Sequence, residues 1–140
     1  METGSYGCIN AHHPGGAIVR DPLVVADILK IWLRQMPEPL IPYDLYNACV
    51  TAGRRNDAGS VNDILGRVPN AHLATLRYLS RFIRDLASHR SKTQMDVHNL
   101  CLVLAPNVLR NPSDDPMLFA TNAESEKRFL QVVVDVLAPE

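Results

Sequence analysis

Apolar side chains recur at three- and four-residue intervals along most of this sequence, and no stretch alternates at the period of two that a half-buried strand requires. The most informative stretch is 23–42, LVVADILKIWLRQMPEPLIP. At about 3.6 residues per turn, Val25, Ile28, Leu29, Trp32 and Met36 share one side of a helix, while Asp27, Lys30 and Arg34 share the other. The first set is the expected core face, with Trp32 inside it, and the second a charged ridge. Asp21-Pro22 supplies the start, since a carboxylate accepts an orphan amide of the first turn and proline is pre-set for the first helical position. Pro37-Glu38-Pro39 supplies the stop, because proline cannot extend the hydrogen-bond ladder and biases the residue before it to extended geometry.

Further helices follow. Tyr43 to Ala52 predicts a short one with Leu45, Tyr46 and Cys49 inward, broken by Gly53-Arg54-Arg55-Asn56. Asp57 caps a second, with Val61, Ile64 and Leu65 apolar and Gly66 as its end. From Pro69 to Ser88 the positions Leu73, Leu76, Leu79, Phe82, Ile83 and Leu86 mark a core helix, and Arg77, Arg81 and Arg84 read as its solvated face. Thr93 is the expected cap of a helix over 94–104 with Val97, Leu100, Cys101 and Leu104 buried, halted at Ala105 by Pro106. Residues 107–120 read as a loop, and the capping box Thr121 to Glu124 opens a last helix that buries Phe129, Val132, Val133, Val136 and Leu137 and ends before Pro139. Residues 1–20, rich in glycine and small polar residues, read as a flexible lead-in. The fold expected is an all-α helical bundle over 21–140.

Composition narrows the function. A net charge of -1 gives no overall attraction to nucleic acid or a bare membrane surface, so charge-driven recognition must be local. Three widely spaced cysteines argue against a disulfide framework and, with no apolar run of membrane-spanning length and no signal-peptide pattern, make the cytoplasm the simplest address. No direct membrane insertion is expected.

Catalytic readings find little support. There is no G-x-x-x-x-G-K-[ST] loop. Cys8, His12 and His13 have no second ligand pair at zinc-like spacing, so neither a metal nor a cofactor is expected. His98 and Cys101 stand one turn apart without a third group to orient them, and Cys101 is expected as a small core residue. On pattern alone Lys30 pairs with Asp27 on the surface, and Asn107 bridges local backbone at a helix end.

Two ordered blocks change the weighting. K-I-W-L-R-Q-M-P-E-P-L-I-P, residues 30–42, resembles the signature of RhoGAP domains, which act on Rho-family small GTPases. Lys92-Thr93-Gln94-Met95-Asp96, then Asn99-Leu100 and Leu104 to Arg110, is similar to the family's second block, and S-D-D-P at 113–116 is closest to the subclass typified by Vilse, also called CrossGAP. Val68-Pro69-Asn70-Ala71-His72 matches the family's L-P-x-x-N except that His72 replaces the asparagine, which alters a polar contact at this corner. The resemblance implies a GTPase activator in signal transduction, itself not an enzyme, because the partner GTPase is the hydrolase. It makes Lys30 and Asn107 contacts to the GTPase, Arg34 a buttress of the catalytic arginine loop, Arg110 a further contact candidate and Asn99 a buried structural amide. That loop, G-I-F-R-x-S-G in the family, has no counterpart in this sequence, and Arg20 is the one arginine that immediately precedes the signature helix. The expectation is therefore a domain incomplete at its N-terminal side, weak or inactive as an activator, with uncovered apolar surface that permits self-association. The alternative is a non-catalytic helical interaction module that binds a Rho GTPase or another protein.

Overall fold

The structure, a computed structural model, describes residues 22–113 and 115–139; the expected lead-in and Arg20 lie outside them. Among the described residues there are seven α-helices and no strand: α1 (Pro22–Gln35), α2 (Tyr46–Arg55, preceded by a 3-10 turn at Tyr43–Leu45), α3 (Ala58–Leu65), α4 (Asn70–Ala87), the single turn α5 (Arg90–Thr93), α6 (Val97–Val108) and α7 (Pro116–Leu137). The all-α expectation holds.

The bundle is built on α7. Phe129, Leu130, Val132, Val133 and Val134 are all buried, because α2, α6, α4 and α3 pack around its C-terminal half. Arg84 of α4 fastens its end, donating from Nε to the Ala138 carbonyl at 2.9 Å and pairing with Asp135 at 2.9 Å. One member of the supposedly solvated arginine face is thus a tether, while Arg77 and Arg81 are exposed as expected. The α2–α7 approach is close enough that Gly53, the first residue of the expected break, sits buried within α2; the helix runs to Arg55 and stops at Asn56, the last residue of that run, whose φ of 54° is the left-handed geometry that asparagine tolerates.

Several boundaries differ from the expectations, each for a local reason. Asp96, not Thr93, caps α6 by accepting from the Asn99 amide at 2.8 Å; Thr93 accepts from Met95, and Asn99 is exposed rather than buried. Pro106 does not halt α6, which runs to Val108. Proline removes only its own amide, and Leu109 N still reaches the Ala105 carbonyl at 2.9 Å. Within the expected loop, Asp115-Pro116 starts α7, with the Asp115 carboxylate accepting from Met117 N at 3.0 Å. Thr121 lies inside the helix and donates to the Met117 carbonyl.

The largest correction concerns α1. Leu33, absent from the predicted stripe, is 1% exposed, with Leu29 and Met36 packed beside it, whereas Trp32 is 51% exposed and Ile28 is also outward. The helix is apolar over much of its circumference, so periodicity alone admits two overlapping faces. Its docking is chiefly against α6, a narrow contact that turns Leu33 in and leaves Trp32 out.

A buried polar pair joins α2 to α7. Glu126, 3% exposed, accepts from the Tyr46 hydroxyl, which in turn accepts from Asn122 Nδ2 at 3.2 Å. Burial pushes the Glu126 carboxyl above its ordinary 4.5, partly opposed by the Tyr46 bond. The folded state therefore holds this proton more tightly than the unfolded chain. Its stabilising contribution is complete below about pH 4.5 and is lost as pH rises through the raised folded value. Glu126→Gln should remove this loss, so its stability relative to wild type rises between pH 4 and pH 7 in urea titrations. Glu126→Ala, which deprives Tyr46 of its acceptor, should instead cost roughly 1–3 kcal/mol.

Candidate GTPase-contact surface

The site grows from the sharp exit of α1. Because Pro37 and Pro39 end the helix, its last carbonyls need partners from elsewhere. Arg110, just beyond α6, supplies them: its Nη2 donates to the Leu33 carbonyl at 2.6 Å and to the Met36 carbonyl at 2.7 Å. The exit then returns to α6 through Ile41 N, which donates to the Val108 carbonyl at 3.2 Å. On the far side His72 Nδ1 donates to the Leu40 carbonyl at 2.9 Å, with Nε2 3.7 Å from Glu38, so this histidine ties the proline turn to the start of α4.

That clamp brings the two sequence blocks together. Arg34 Nε donates to Asn107 Oδ1 at 3.1 Å, and Asn107 Nδ2 donates back to the Val103 carbonyl at 3.3 Å. Asn107 is buried between the helices; the Arg34 side chain stays exposed above it. Lys30 lies one turn earlier on the same edge, its ammonium 3.5 Å from Asp27 and its side chain 30% exposed. Three of the four predicted residues, Arg34, Asn107 and Arg110, thus meet at the α1–α6 junction, with Lys30 beside them. The bridging of α1 by Arg110 was invisible in the sequence, because a carbonyl seeking a donor leaves no residue-type signal.

The edge is cationic and carries donors, with no nucleophile beside a base. The thiols among the described residues are elsewhere: burial pushes Cys49 and Cys101 each up to about 12, which suits core residues and not thiolates. His98, one turn from Cys101, accepts at Nδ1 from Lys127 Nζ, 3.2 Å away. Among the described residues no cluster of His, Cys, Asp and Glu could hold a metal, and no helix is long and apolar enough to cross a membrane. A cleft of about 690 Å³ lined by Arg84, Ser88, Arg90, Asp96 and His98 lies at the opposite end of α6 from Asn107 and shares none of the site residues. What the arrangement offers is an edge carrying the exposed Arg34 and the part-exposed Lys30, braced from α6 by Asn107 and Arg110.

Fold and surface define an all-helical domain that presents a cationic helix edge braced by a second helix. The family model described as RhoGAP domain matches residues 15–113, and the chain belongs to that family. Human SH3 domain-binding protein 1 is 35% identical over 99 residues, covering 68% of this chain and 14% of its own length. Rho GTPase-activating protein 92B of Drosophila melanogaster is 35% identical over 94 residues, covering 64% of this chain and 13% of its own. This chain therefore spans only a small part of the curated relatives it matches. Among solved structures, the BH domain from Graf, the GTPase regulator associated with focal adhesion kinase, superposes with a TM-score of 0.71 at 18% identity, over 89% of this chain and 70% of that one. Human Rho GTPase activating protein 15 gives 0.69 at 22% identity, over 79% and 54%. The family match begins at residue 15, inside the segment read as a lead-in, and ends before α7.

Proposed function

We propose that this chain is the positioning half of a GTPase-activating domain, which binds the GTP-loaded form of a Rho-family small GTPase in cytoplasmic signal transduction. The observation that carries the reading is the Arg34–Asn107 hydrogen bond, which joins the family's two blocks at one junction, the exposed Arg34 over the buried Asn107, beside Lys30. An activating domain does little covalent chemistry: it orders the partner's switch loops and attacking water, and inserts an arginine against the charge of the transition state. Lys30, Arg34 and Asn107 serve the ordering, and Arg110 serves it by holding the exit of α1. No arginine loop of the G-I-F-R-x-S-G kind occurs in this sequence, which supports weak activation by this chain alone and favours the second reading, a GTPase-binding module without activating power. The S-D-D-P segment at 113–116 supports membership of the Vilse subclass.

Lys30→Ala should weaken binding to a GTP-loaded Rho protein by roughly 1–3 kcal/mol, about 5- to 150-fold in Kd, with an unchanged helical spectrum. Arg81→Glu, on an exposed position of α4, should leave binding as it is. Calorimetry against the GTP-loaded and GDP-loaded partner reads both, and equal affinity of wild type and Lys30→Ala removes this edge from consideration.

A further inference from the structure

The outward face of α1 is not used by the site. Val24, Ile28, Ile31 and Trp32, spaced over more than two turns, are each 43–51% exposed and form one continuous apolar stripe. One edge of that stripe carries Asp27, Lys30 and Arg34; Gln35 continues the stripe itself, and its opposite margin is the uncharged Trp32. We propose that the stripe is a homodimer surface, on which two copies of this chain pack α1 against α1 in antiparallel fashion.

The charges select both the occupant and the direction. Asp27 and Arg34 are seven residues apart, two helical turns, and so lie on the same edge about 10.5 Å apart along the axis. A two-fold axis crossing the helix between Lys30 and Ile31 brings like edges together with the direction reversed. Asp27 of each copy then stands at the height of Arg34 of the other, and the contact occurs twice. Parallel packing would set this charged edge against the uncharged Trp32 margin and leave the charges without opposites. The arrangement is self-complementary, as an isologous interface requires. Its strength follows from its size: half-exposed side chains of this number present on the order of a few hundred Å² per copy, so the pair falls at the low end of specific interfaces. The dimer is weak and concentration-dependent. Arg34 and Lys30 lie at its rim, so dimer and GTPase compete for one edge; that consequence rests on the function proposed above, and the dimer does not.

Trp32, the only tryptophan in the chain, reports directly. Sedimentation velocity and tryptophan emission are followed over a concentration series without any GTPase, so failure here is distinct from failure of the GTPase reading. The expected result is a monomer–dimer transition, with the emission moving to the blue as dimer forms. Ile28→Glu should abolish both changes. Asp27→Arg and Arg34→Asp should each weaken the dimer about tenfold or more through repulsion at two symmetric contacts, and the double variant should recover most of the loss. Recovery is specific to antiparallel pairing, since Asp27 and Arg34 are two turns apart within one helix. A dimer that ignores all these substitutions, or a double variant as weak as the single ones, overturns the proposal. So does a chain that stays monomeric at every concentration. A Trp32 emission already blue and shielded from quencher in dilute monomer means that the stripe is covered within one chain, and overturns it too.

Discussion

Joined to an N-terminal segment bearing a G-I-F-R-x-S-G loop from another RhoGAP domain, this chain should accelerate GTP hydrolysis by a Rho-family partner about 10³-fold or more beyond what it achieves alone. An inserted arginine neutralises the charge that builds on the transferred phosphoryl group, and removing one costs roughly 10³ to 10⁵ in rate, equivalent to about 4–7 kcal/mol of barrier. Ordering the switch loops and the attacking water supplies the remainder, and that is the portion proposed above for Lys30, Arg34 and Asn107. The structure shows how Arg34 is held meanwhile: its Nε donates to Asn107 Oδ1 at 3.1 Å, which ties the side chain to α6. Single-turnover assays on the chain alone, its Arg20→Ala variant and the extended protein decide the matter. Arg20→Ala should leave the slow rate of the unextended chain unchanged. A fully active unextended chain that loses its activity with Arg20→Ala would show that the arginine has moved to the start of the signature helix.

The parts of this architecture that were legible in the sequence are those set by chemistry local to a few residues. Asp57 caps α3 as expected, accepting from Gly59 N, because an aspartate before a helical run has little else to do. The α4 core stripe was readable, since it carries one apolar arc; on α7 the predicted Phe129, Val132 and Val133 are buried, but so are Leu130 and Val134 outside the stripe, because neighbouring helices surround that part of it. Trp32 was misplaced for the opposite reason: α1 has apolar residues on two overlapping arcs, and only the neighbour, α6, decides which is covered. Pro106 misled because a helix tolerates the loss of one amide. Thr121 misled because Asp115-Pro116, a stronger start, lay within a stretch whose Asn, Pro and Asp content suggested a loop. At the site, residue identity was readable from the resemblance, but the joining of Arg34 to Asn107 and the grip of Arg110 on Leu33 and Met36 cross more than seventy residues of chain and depend on tertiary packing.

Gly53→Ala should be among the most destabilising single changes in the domain, costing about 3 kcal/mol or more, although it replaces a poor helix former with the best one inside a helix. Helix propensity alone argues for a gain of nearly 1 kcal/mol. Packing reverses the sign. A Cβ at position 53 would stand 2.0 Å from the Ser125 carbonyl oxygen and 3.0 Å from the Phe129 amide nitrogen, both backbone atoms of α7. No rotamer can relieve such a clash; α2 and α7 must separate, and the residues behind the contact, including Cys49, Phe129 and the Tyr46–Glu126 pair, lose their fit. Overpacked cores typically lose about 1–3 kcal/mol when side chains can adjust, and a backbone-on-backbone clash belongs above that range. Against a total stability of order 5–15 kcal/mol, such a loss shifts the urea midpoint strongly or prevents folding at 37 °C. Gly59→Ala is the matched comparison: its Cβ would meet only Asp57 Oδ1, at an ordinary 3.4 Å, on the exposed first turn of α3. That variant should gain a few tenths to about 1 kcal/mol through the unfolded chain's lost freedom. Equal stability of the two variants in urea denaturation would mean that α2 and α7 do not approach through Gly53.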